Sequence, residues 1–312
     1  MSHLRHIRSE LTKNLWAIYQ NDVKHAAIIA RAMKAYSASP IALDHYAIID
    51  LPSAKTGLST LCQIFSAIGY TAQGRDYLAE KQNEFLWMAE CDAINKPVDQ
   101  VLPQVVIADF RLDDLPVEIR KIIEKYTRHI TATPLSKIQN LSGQAFLGNR
   151  DAADQLIKIL IDYFMVRDTP LPTVTDFKQV HEYNELLAWV LVFGRQPNHF
   201  TISVHLLENF ASLHEFNRFI EKLPLPLNDR GGVIKGSHDQ GIEQSATQGE
   251  LITIALADGT TTLPERFIEF TWRYPIKNPT TNMKWNDYFT GFIAHNANRI
   301  IESVFVSQGE RP

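Results

Sequence analysis

The chain has 312 residues, of which 45% are hydrophobic and 21% are charged, and its formal net charge is −4 at pH 7. This composition is typical of a soluble globular protein that buries a full hydrophobic core, and the weakly negative charge argues against nucleic acid as a partner. No apolar run approaches the ~18 residues of a membrane span, which argues against a membrane partner. The start of the chain shows no signal-peptide pattern, and the two cysteines fit no disulfide or zinc motif, so we expect a cytoplasmic location.

The first third of the chain predicts a helix followed by a strand-rich module. Residues 9–36 carry apolar side chains at helical spacing and predict an N-terminal helix that covers the core. Residues 41–112, here called module one, show the pattern of a strand, a helix and three further strands. These five elements are predicted at Ala42–Leu51, Leu58–Ile68, Tyr70–Leu78, Glu84–Met88 and Gln104–Arg111.

Residues 113–194 are predicted to form a helical insert. Apolar residues recur every three to four positions in three stretches, at Pro116–His129, Asp151–Val166 and Phe177–Phe193. Asp151 is a suitable N-cap for the second helix, and Thr175 or Asp176 is suitable for the third.

Residues 195–275, here called module two, repeat the order of module one. A strand that contains His199 is followed by a helix, a strand, a polar loop, a further strand with a hairpin turn after it, and a returning strand. After the first strand these segments are predicted at Leu206–Leu223, Val233–Gly236, Ser237–Gly249, Leu251–Ala257 and Arg266–Tyr274. A C-terminal helix is predicted within residues 285–305.

Each module opens with a similar strand, and each of these strands carries a histidine. The two segments are Asp44-His45-Tyr46-Ala47-Ile48-Ile49 and Asn198-His199-Phe200-Thr201-Ile202-Ser203. The last strand of module two adds the carboxylate of Glu269. Two imidazoles and one carboxylate on rigid strands can bind a metal on one side and leave the other positions open for substrate and dioxygen. We therefore expect a metal site at His45, His199 and Glu269; the alternative is that both histidines are ordinary core residues.

Asp109 matches Glu269 in the apparent repeat, because it lies on the last strand of module one. It could be a fourth metal ligand or an acceptor that orients a ligating histidine, and we favour the second role because aspartate has the shorter reach. The expected fold is a single α+β domain, residues 1–312. In it, two βαβββ modules form a curved sheet around the metal site, with a helical insert and N- and C-terminal helices.

Several segments together resemble a known family. They are Asp44–Pro52, Ala108–Leu112, Asn198–Thr201, Gly236-Ser237, Glu243–Thr247 and Phe267–Arg273. The duplicated modules look like the vicinal oxygen chelate superfamily of glyoxalases and extradiol dioxygenases. Within it, the chain more closely resembles the 2-oxoadipate dioxygenase/decarboxylase family, over nearly its whole length.

This resemblance implies a non-haem Fe(II) centre held by His45, His199 and Glu269, although another divalent metal could occupy it in purified protein. The implied substrates are a 2-oxo acid and dioxygen. The family reaction converts 2-oxoadipate and dioxygen to 2-hydroxyglutarate and carbon dioxide, a step of lysine catabolism. Gln244 and Ser245, in the predicted polar loop, are candidate hydrogen-bond donors to the substrate carboxylate that would chelate the metal; the alternative is that they are ordinary polar residues of a surface loop.

One position departs from the family pattern. Members that act on 2-oxoadipate carry an arginine four residues after the first histidine, where it can pair with the distal carboxylate of the substrate; here that residue is Ile49. Arg273, four residues after Glu269 on the same strand, is the preferred candidate to replace this cation, and Arg111 and Lys235 are weaker ones. The alternative for each is a structural ion pair. We expect 2-oxoadipate to be a poor substrate unless one of them takes this role.

Two other functions compete with an iron-dependent 2-oxo acid dioxygenase. One is a glyoxalase-type metal-dependent lyase or isomerase, in which Asp109 would be the fourth ligand and no oxygen would be consumed. The other is a non-catalytic binding module that retains the fold and a vestigial metal site. Oxygen uptake would separate the first two functions, and absence of bound metal would favour the third.

Overall fold

The structure is a computed structural model that describes residues 3–36, 40–131, 133–276, 278 and 282–306. Its main sheet is mixed and has eight strands. Module one contributes β1 (Leu43–Ile49), β2 (Tyr70–Leu78), β3 (Asn83–Glu90) and β4 (Gln104–Phe110). Module two contributes β5 (Pro197–Ser203), β6 (Lys235–Ser237), β7 (Ile242–Ala246) and β10 (Phe267–Arg273). The remaining strands, β8 (Leu251–Ala255) and β9 (Thr260–Pro264), pair only with each other.

The strand order reveals an internal repeat. Across the sheet the order is β2-β3-β4-β1-β5-β10-β7-β6, so each module contributes one contiguous half. In each half the first strand is parallel to the last, and the two first strands, β1 and β5, meet antiparallel at the centre. The predicted α+β class with two βαβββ modules is confirmed.

Module two differs from its predicted course at two places. Strand β7 lies inside the predicted polar loop Ser237–Gly249. A loop was predicted there because the polar residues Glu243, Gln244 and Ser245 show no alternation of apolar and polar side chains. The predicted strand Leu251–Ala257 is shorter and leaves the main sheet to form the β8–β9 hairpin. Its alternation of exposed and half-buried residues is typical of a ribbon with only one covered face.

The helices also differ in detail from the prediction. Helices α1 (His3–Asp22) and α2 (Lys24–Tyr36) replace the single N-terminal helix, and α3 (Leu58–Ala67) follows β1. The insert contains α4 (Val117–Thr127), the unpredicted α5 (Leu135–Phe146), α6 (Arg150–Met165), α7 (Val174–Tyr183) and α8 (Glu185–Phe193). In module two the predicted helix shortens to α9 (Leu213–Ile220), and the C-terminal helix shortens to α10 (Ala294–Ile300).

Side-chain caps explain two of these differences. The side chain of Asn184 accepts a hydrogen bond from the backbone N–H of Leu187 and starts α8, which divides the predicted helix Phe177–Phe193. The N-caps of α6 and α7 are Asn149 and Thr173, not Asp151 and Thr175 or Asp176. In each case the true cap lies two or three residues earlier, and the predicted acid falls in the first helical turn, where its charge favours the helix dipole.

The two faces of the sheet pack against different cores. Tyr46 and Ile48 of β1 point into a core shared with α1, α2, α3, α5, α6 and α9. Ile49 belongs to the opposite core, which includes residues of α4, α7, α8 and α10. Since successive residues of a strand face opposite sides, His45 and Ala47 share the face of Ile49, next to α10. Among the described residues no helix has both the length and the apolar character that a bilayer crossing requires.

Candidate metal centre

Three neighbouring strands bring His45, His199 and Glu269 together in one buried cluster. The two histidines lie on the antiparallel pair β1 and β5, where Ala47 is the partner of His199, and Glu269 lies on the adjacent β10. One potential ligand atom from each residue lies within 4.8 Å of the others. Among the described residues this is the one group of His, Cys, Asp and Glu side chains with such a geometry.

The residue before each histidine fixes its ring. Nδ1 of His45 lies 2.8 Å from Oδ1 of Asp44, and Nδ1 of His199 lies 2.9 Å from Oδ1 of Asn198. In the neutral ring whose Nδ1 donates to this oxygen, Nε2 carries the lone pair that a metal ligand needs. Both Nε2 atoms face Glu269, at 3.4 Å for His45 and 3.2 Å for His199 from its Oε2. Each histidine is thereby presented as a metal ligand through Nε2.

Glu269 is held by three hydrogen-bond donors. Gln244 Nε2 lies 2.6 Å and Thr271 Oγ1 3.1 Å from Oε1, and Thr201 Oγ1 lies 3.2 Å from Oε2. These contacts fix the carboxylate in one orientation within the sheet.

The charges of the cluster suit a divalent cation. Burial acts to raise the pKa of Glu269, but His45 and His199 outweigh it and hold that pKa well below its usual range. Burial lowers the pKa of His199, whereas for His45 the carboxylates of Glu269 and Asp44 overcome the effect of burial and raise its pKa. The cluster therefore offers one ionised carboxylate and two imidazole rings, and all three side chains are buried.

Arg273 contacts a different part of the site from the one expected. Its Nε and Nη2 lie 2.7 and 2.9 Å from the two carboxylate oxygens of Asp44, and its Nη1 donates to the backbone carbonyls of Phe289 and Gly291. The guanidinium is thus fully engaged in a buried bidentate pair, and Arg273 does not line the cavity beside the cluster. The structure thus places Arg273 at Asp44, which contacts His45, and not at this cavity. Its role in substrate binding stays a prediction.

Asp109 is not equivalent to Glu269. In module two, His199 of β5 pairs with Phe267 and Glu269 lies two residues further along β10; in module one, His45 pairs with Gln104, so the corresponding residue is Val106. Asp109 instead accepts a 2.7 Å hydrogen bond from the backbone N–H of Leu58 at the start of α3. The prediction that Asp109 orients a histidine is wrong, because Asp44 and Asn198 take that role.

Gln244 and Ser245 point to opposite faces of β7. Gln244 lines the cavity and donates to Glu269, whereas the hydroxyl of Ser245 donates to Oδ1 of Asn217 in α9, at 2.8 Å. Ser245 therefore does not face this cavity, since adjacent residues of a strand point to opposite sides, and its contact with the substrate stays a prediction. The predicted partner of Gln244 was the substrate carboxylate; the partner observed is Glu269.

A small cavity opens beside the three candidate ligands and is lined mostly by apolar side chains. They come from β1 to β4 and from the C-terminal segment: Ala47, Ile49, Leu78, Phe85, Val106, Ala108, Phe292, Ala297, Ile300 and Ile301. Two polar residues, Asn83 and Gln244, complete the lining. The ring of Phe292 packs edge-on against His45, with centroids 4.8 Å apart. The cluster therefore faces a chamber with mostly apolar walls.

Several residues of the site were missed by sequence reasoning. The acid or amide before each histidine is visible in the repeated segment and could have identified Asp44 and Asn198. Thr201 and Thr271 each lie two residues from a ligand on the same strand, a spacing that places them on the same face. Phe292 and Ile300 had no local signal, because their place depends on how the C-terminal segment folds over the sheet.

Comparisons with known proteins identify the relatives of this chain. The sequence pattern of the 2-oxoadipate dioxygenase/decarboxylase family matches residues 10–304. The chloroplastic 2-oxoadipate dioxygenase/decarboxylase of Arabidopsis thaliana is 28% identical over 94% of this chain and 76% of that protein. The hydroxyglutarate synthase of Oryza sativa, solved in complex with 2-oxoadipate, is 25% identical and superposes with a TM-score of 0.79 over 99% of this chain and 95% of that one.

A structure from Ralstonia eutropha JMP134 that is named for the glyoxalase superfamily shares the fold, with a TM-score of 0.73 at 17% identity over 92% of this chain and 85% of that one. The resemblance stated from the sequence motifs is confirmed, as is the expectation of an enzyme. The chain belongs to the 2-oxoadipate dioxygenase/decarboxylase family.

Proposed function

We propose that this protein is a non-haem Fe(II)-dependent dioxygenase that decarboxylates a 2-oxo acid. The observation that carries the proposal is the cluster of three donors, His45, His199 and Glu269. Val106 is the residue of module one that corresponds to Glu269, and it offers no fourth donor. Two histidines and one carboxylate with open positions are the ligand set typical of Fe(II) oxygenases. A hydrocarbon at the fourth position leaves room for a chelating substrate and dioxygen.

The residues present fit such an ion. His45 and His199 would bind it through Nε2 and Glu269 through its ionised carboxylate, since the Nδ1 atoms are already bonded to Asp44 and Asn198. Bound Fe(II) would supply the oxygen activation that protein side chains alone cannot. The surrounding threonines and Gln244 would keep the carboxylate from turning away when the substrate enters.

The rest of the cavity would protect the reaction. Its apolar walls exclude water, which would otherwise compete with the substrate for the open side of the site. The amide oxygen of Gln244 is buried and has no hydrogen-bond partner among the described residues. It is available to accept a hydrogen bond from a hydroxyl group, such as the one created in a 2-hydroxy acid product.

The family name defines the type of reaction that we propose: a 2-oxo acid and dioxygen react to give carbon dioxide and a 2-hydroxy acid one carbon shorter. For 2-oxoadipate the product is 2-hydroxyglutarate, and the chain would then act in lysine catabolism. We propose a cytoplasmic location because both cysteines, Cys62 and Cys91, are free thiols, as expected in a reducing compartment. Its two curated plant relatives are named as chloroplastic or amyloplastic proteins.

The test is oxygen uptake by protein loaded anaerobically with Fe(II) and supplied with a panel of 2-oxo acids. Equal molar amounts of oxygen consumed and carbon dioxide released, with a 2-hydroxy acid formed, are the expected result. Turnover that continues without oxygen would instead assign the site to a lyase or isomerase. Protein that binds no divalent metal would leave only the non-catalytic binding module.

A further inference from the structure

We infer that the substrate is a 2-oxo acid whose side chain is uncharged and aliphatic, rather than a dicarboxylic one. This inference rests on the proposed function and specifies the substrate class of the same site. It follows from the chemistry of the cavity wall and from the positions of the basic side chains around it.

In the part of the chain that the structure describes, the wall beyond the candidate ligands contains no cation. On β1 the residues that face the cavity after His45 are Ala47 and Ile49, and the other walls are hydrocarbon from β2, β3, β4 and the C-terminal segment. The amide donors among the described lining residues are those of Asn83 and Gln244. Both already donate, Asn83 to the backbone carbonyl of Asp109 at 2.9 Å and Gln244 to Glu269. A second carboxylate in this chamber would be buried without a counter-charge.

The basic residues that could have moved in are committed elsewhere. Arg273 pairs with Asp44, and the exposed Arg111, which follows β4, pairs with Glu84 of β3 at 3.2 Å. Lys235 donates to the backbone carbonyl of Asn228 at 2.6 Å. Lys81, close to the cavity residue Leu78 in the chain, lies 3.1 Å from Glu302. None of these four side chains lines the cavity.

The cavity favours binding of an aliphatic side chain and disfavours binding of a second carboxylate. Burial of methylene groups against Ile49, Val106 and Ile300 is favourable in proportion to the apolar area removed from water. An unpaired buried carboxylate carries a large desolvation cost. For 2-oxohexanoate, which has the carbon chain of 2-oxoadipate but ends in a methyl group, we expect on the order of 100-fold tighter binding than for 2-oxoadipate.

The reaction remains balanced for such a substrate. One oxygen atom of dioxygen enters the new carboxylate formed at C2 as the C1–C2 bond breaks and carbon dioxide leaves. The other enters the C3–H bond as a hydroxyl group. Decarboxylation and C–H oxidation together supply the four electrons that dioxygen accepts, so no further reductant is needed. 2-Oxohexanoate would give 2-hydroxypentanoate and carbon dioxide.

The experiment compares the two acids by binding and by turnover. Calorimetric titration of the Fe(II)-loaded protein under anaerobic conditions gives both dissociation constants without any reaction, and oxygen uptake with mass spectrometry of the product gives the rates. The variant Ile49→Arg places a cation in the wall and should move both preferences towards 2-oxoadipate. Ile49→Leu changes the shape of the wall without adding a charge, so 2-oxohexanoate should remain the preferred acid even if the rates change. The comparison in the unaltered protein stands even if Ile49→Arg does not fold.

The outcomes separate this inference from the proposed function. Tighter binding and faster turnover of 2-oxohexanoate support both. Oxygen-dependent turnover in which 2-oxoadipate binds equally well or better overturns the aliphatic substrate and leaves the dioxygenase intact. Preferential binding of 2-oxohexanoate without oxygen uptake by any 2-oxo acid overturns the dioxygenase and retains the specificity of the cavity.

Discussion

Replacing Asp44 by alanine should damage the protein in two separable ways. Asp44 is buried, and its carboxylate accepts two hydrogen bonds from Arg273, one from His45 at 2.8 Å and one from Ser203 at 3.3 Å. Asp44→Ala leaves the guanidinium of Arg273 buried without its carboxylate partner, and its hydrogen bonds to the backbone carbonyls of Phe289 and Gly291 remain. It also leaves Nδ1 of His45 without an acceptor.

The size of each effect follows from these contacts. Removing one partner of a buried ion pair costs about 3–5 kcal/mol of the free energy of unfolding. Losing the acceptor that orients a ligating histidine lowers metal affinity by about 10–100-fold. Asn198→Ala is the matched control, because it removes the equivalent acceptor from His199 and breaks no ion pair. We expect it to lower metal affinity similarly but to cost only about 1 kcal/mol of stability.

Urea unfolding of the metal-free proteins measures the stability difference, and titration against a competing chelator measures the affinity for a divalent metal. Asp44→Asn adds a second comparison, since asparagine can still accept from His45 but cannot neutralise Arg273. Asp44→Asn should keep most of the metal affinity, but it should lose most of the stability that the ion pair with Arg273 contributes, about 3–5 kcal/mol. Unchanged metal affinity in both alanine variants would refute the orienting role of these residues. Equal stability of the two variants would refute the energetic importance of the buried pair.

Three further predictions concern the centre and its surroundings. Alanine in place of any one of the three candidate ligands should remove most bound metal, as measured by elemental analysis of protein purified after metal loading; retention in all three variants would contradict the site. Val106→Glu should complete a four-ligand set, tightening metal binding while abolishing oxygen uptake, and unaltered uptake would contradict the repeat alignment. Burial raises the pKa of Asp109 to about 6, so its contribution to stability is present below the pKa of about 3.9 in the unfolded chain and is lost as pH rises through about 6. Asp109→Asn, which can still accept from Leu58, should therefore gain stability relative to the parent between pH 4 and 7 in urea unfolding, with metal content unchanged; a relative loss would contradict this assignment.

The repeat and the candidate ligands could be predicted from the sequence because both depend on short, local patterns of residues. His45 and His199 occupy equivalent positions in two similar segments, and the alternation of side chains along a strand decides which face each ring lies on. The fold class follows from the order of the predicted elements. The polar residue before each histidine was also visible, although its contact with the ring requires the folded strand. Strand β7 was missed because its central residues are polar although they are buried or half-buried, and a run of polar residues in a sequence predicts a loop.

The equivalence of Val106 with Glu269 depended on the pairing of strands, which only the tertiary structure decides. Counting along the sequence matched the carboxylates Asp109 and Glu269, but the parallel register with β1 shifts module one by three residues, and an odd shift turns a side chain to the opposite face. The partner of Arg273 was equally hidden, since Asp44 lies 229 positions away in the chain. A buried guanidinium takes the carboxylate that packing brings within reach, and no local pattern encodes that distance.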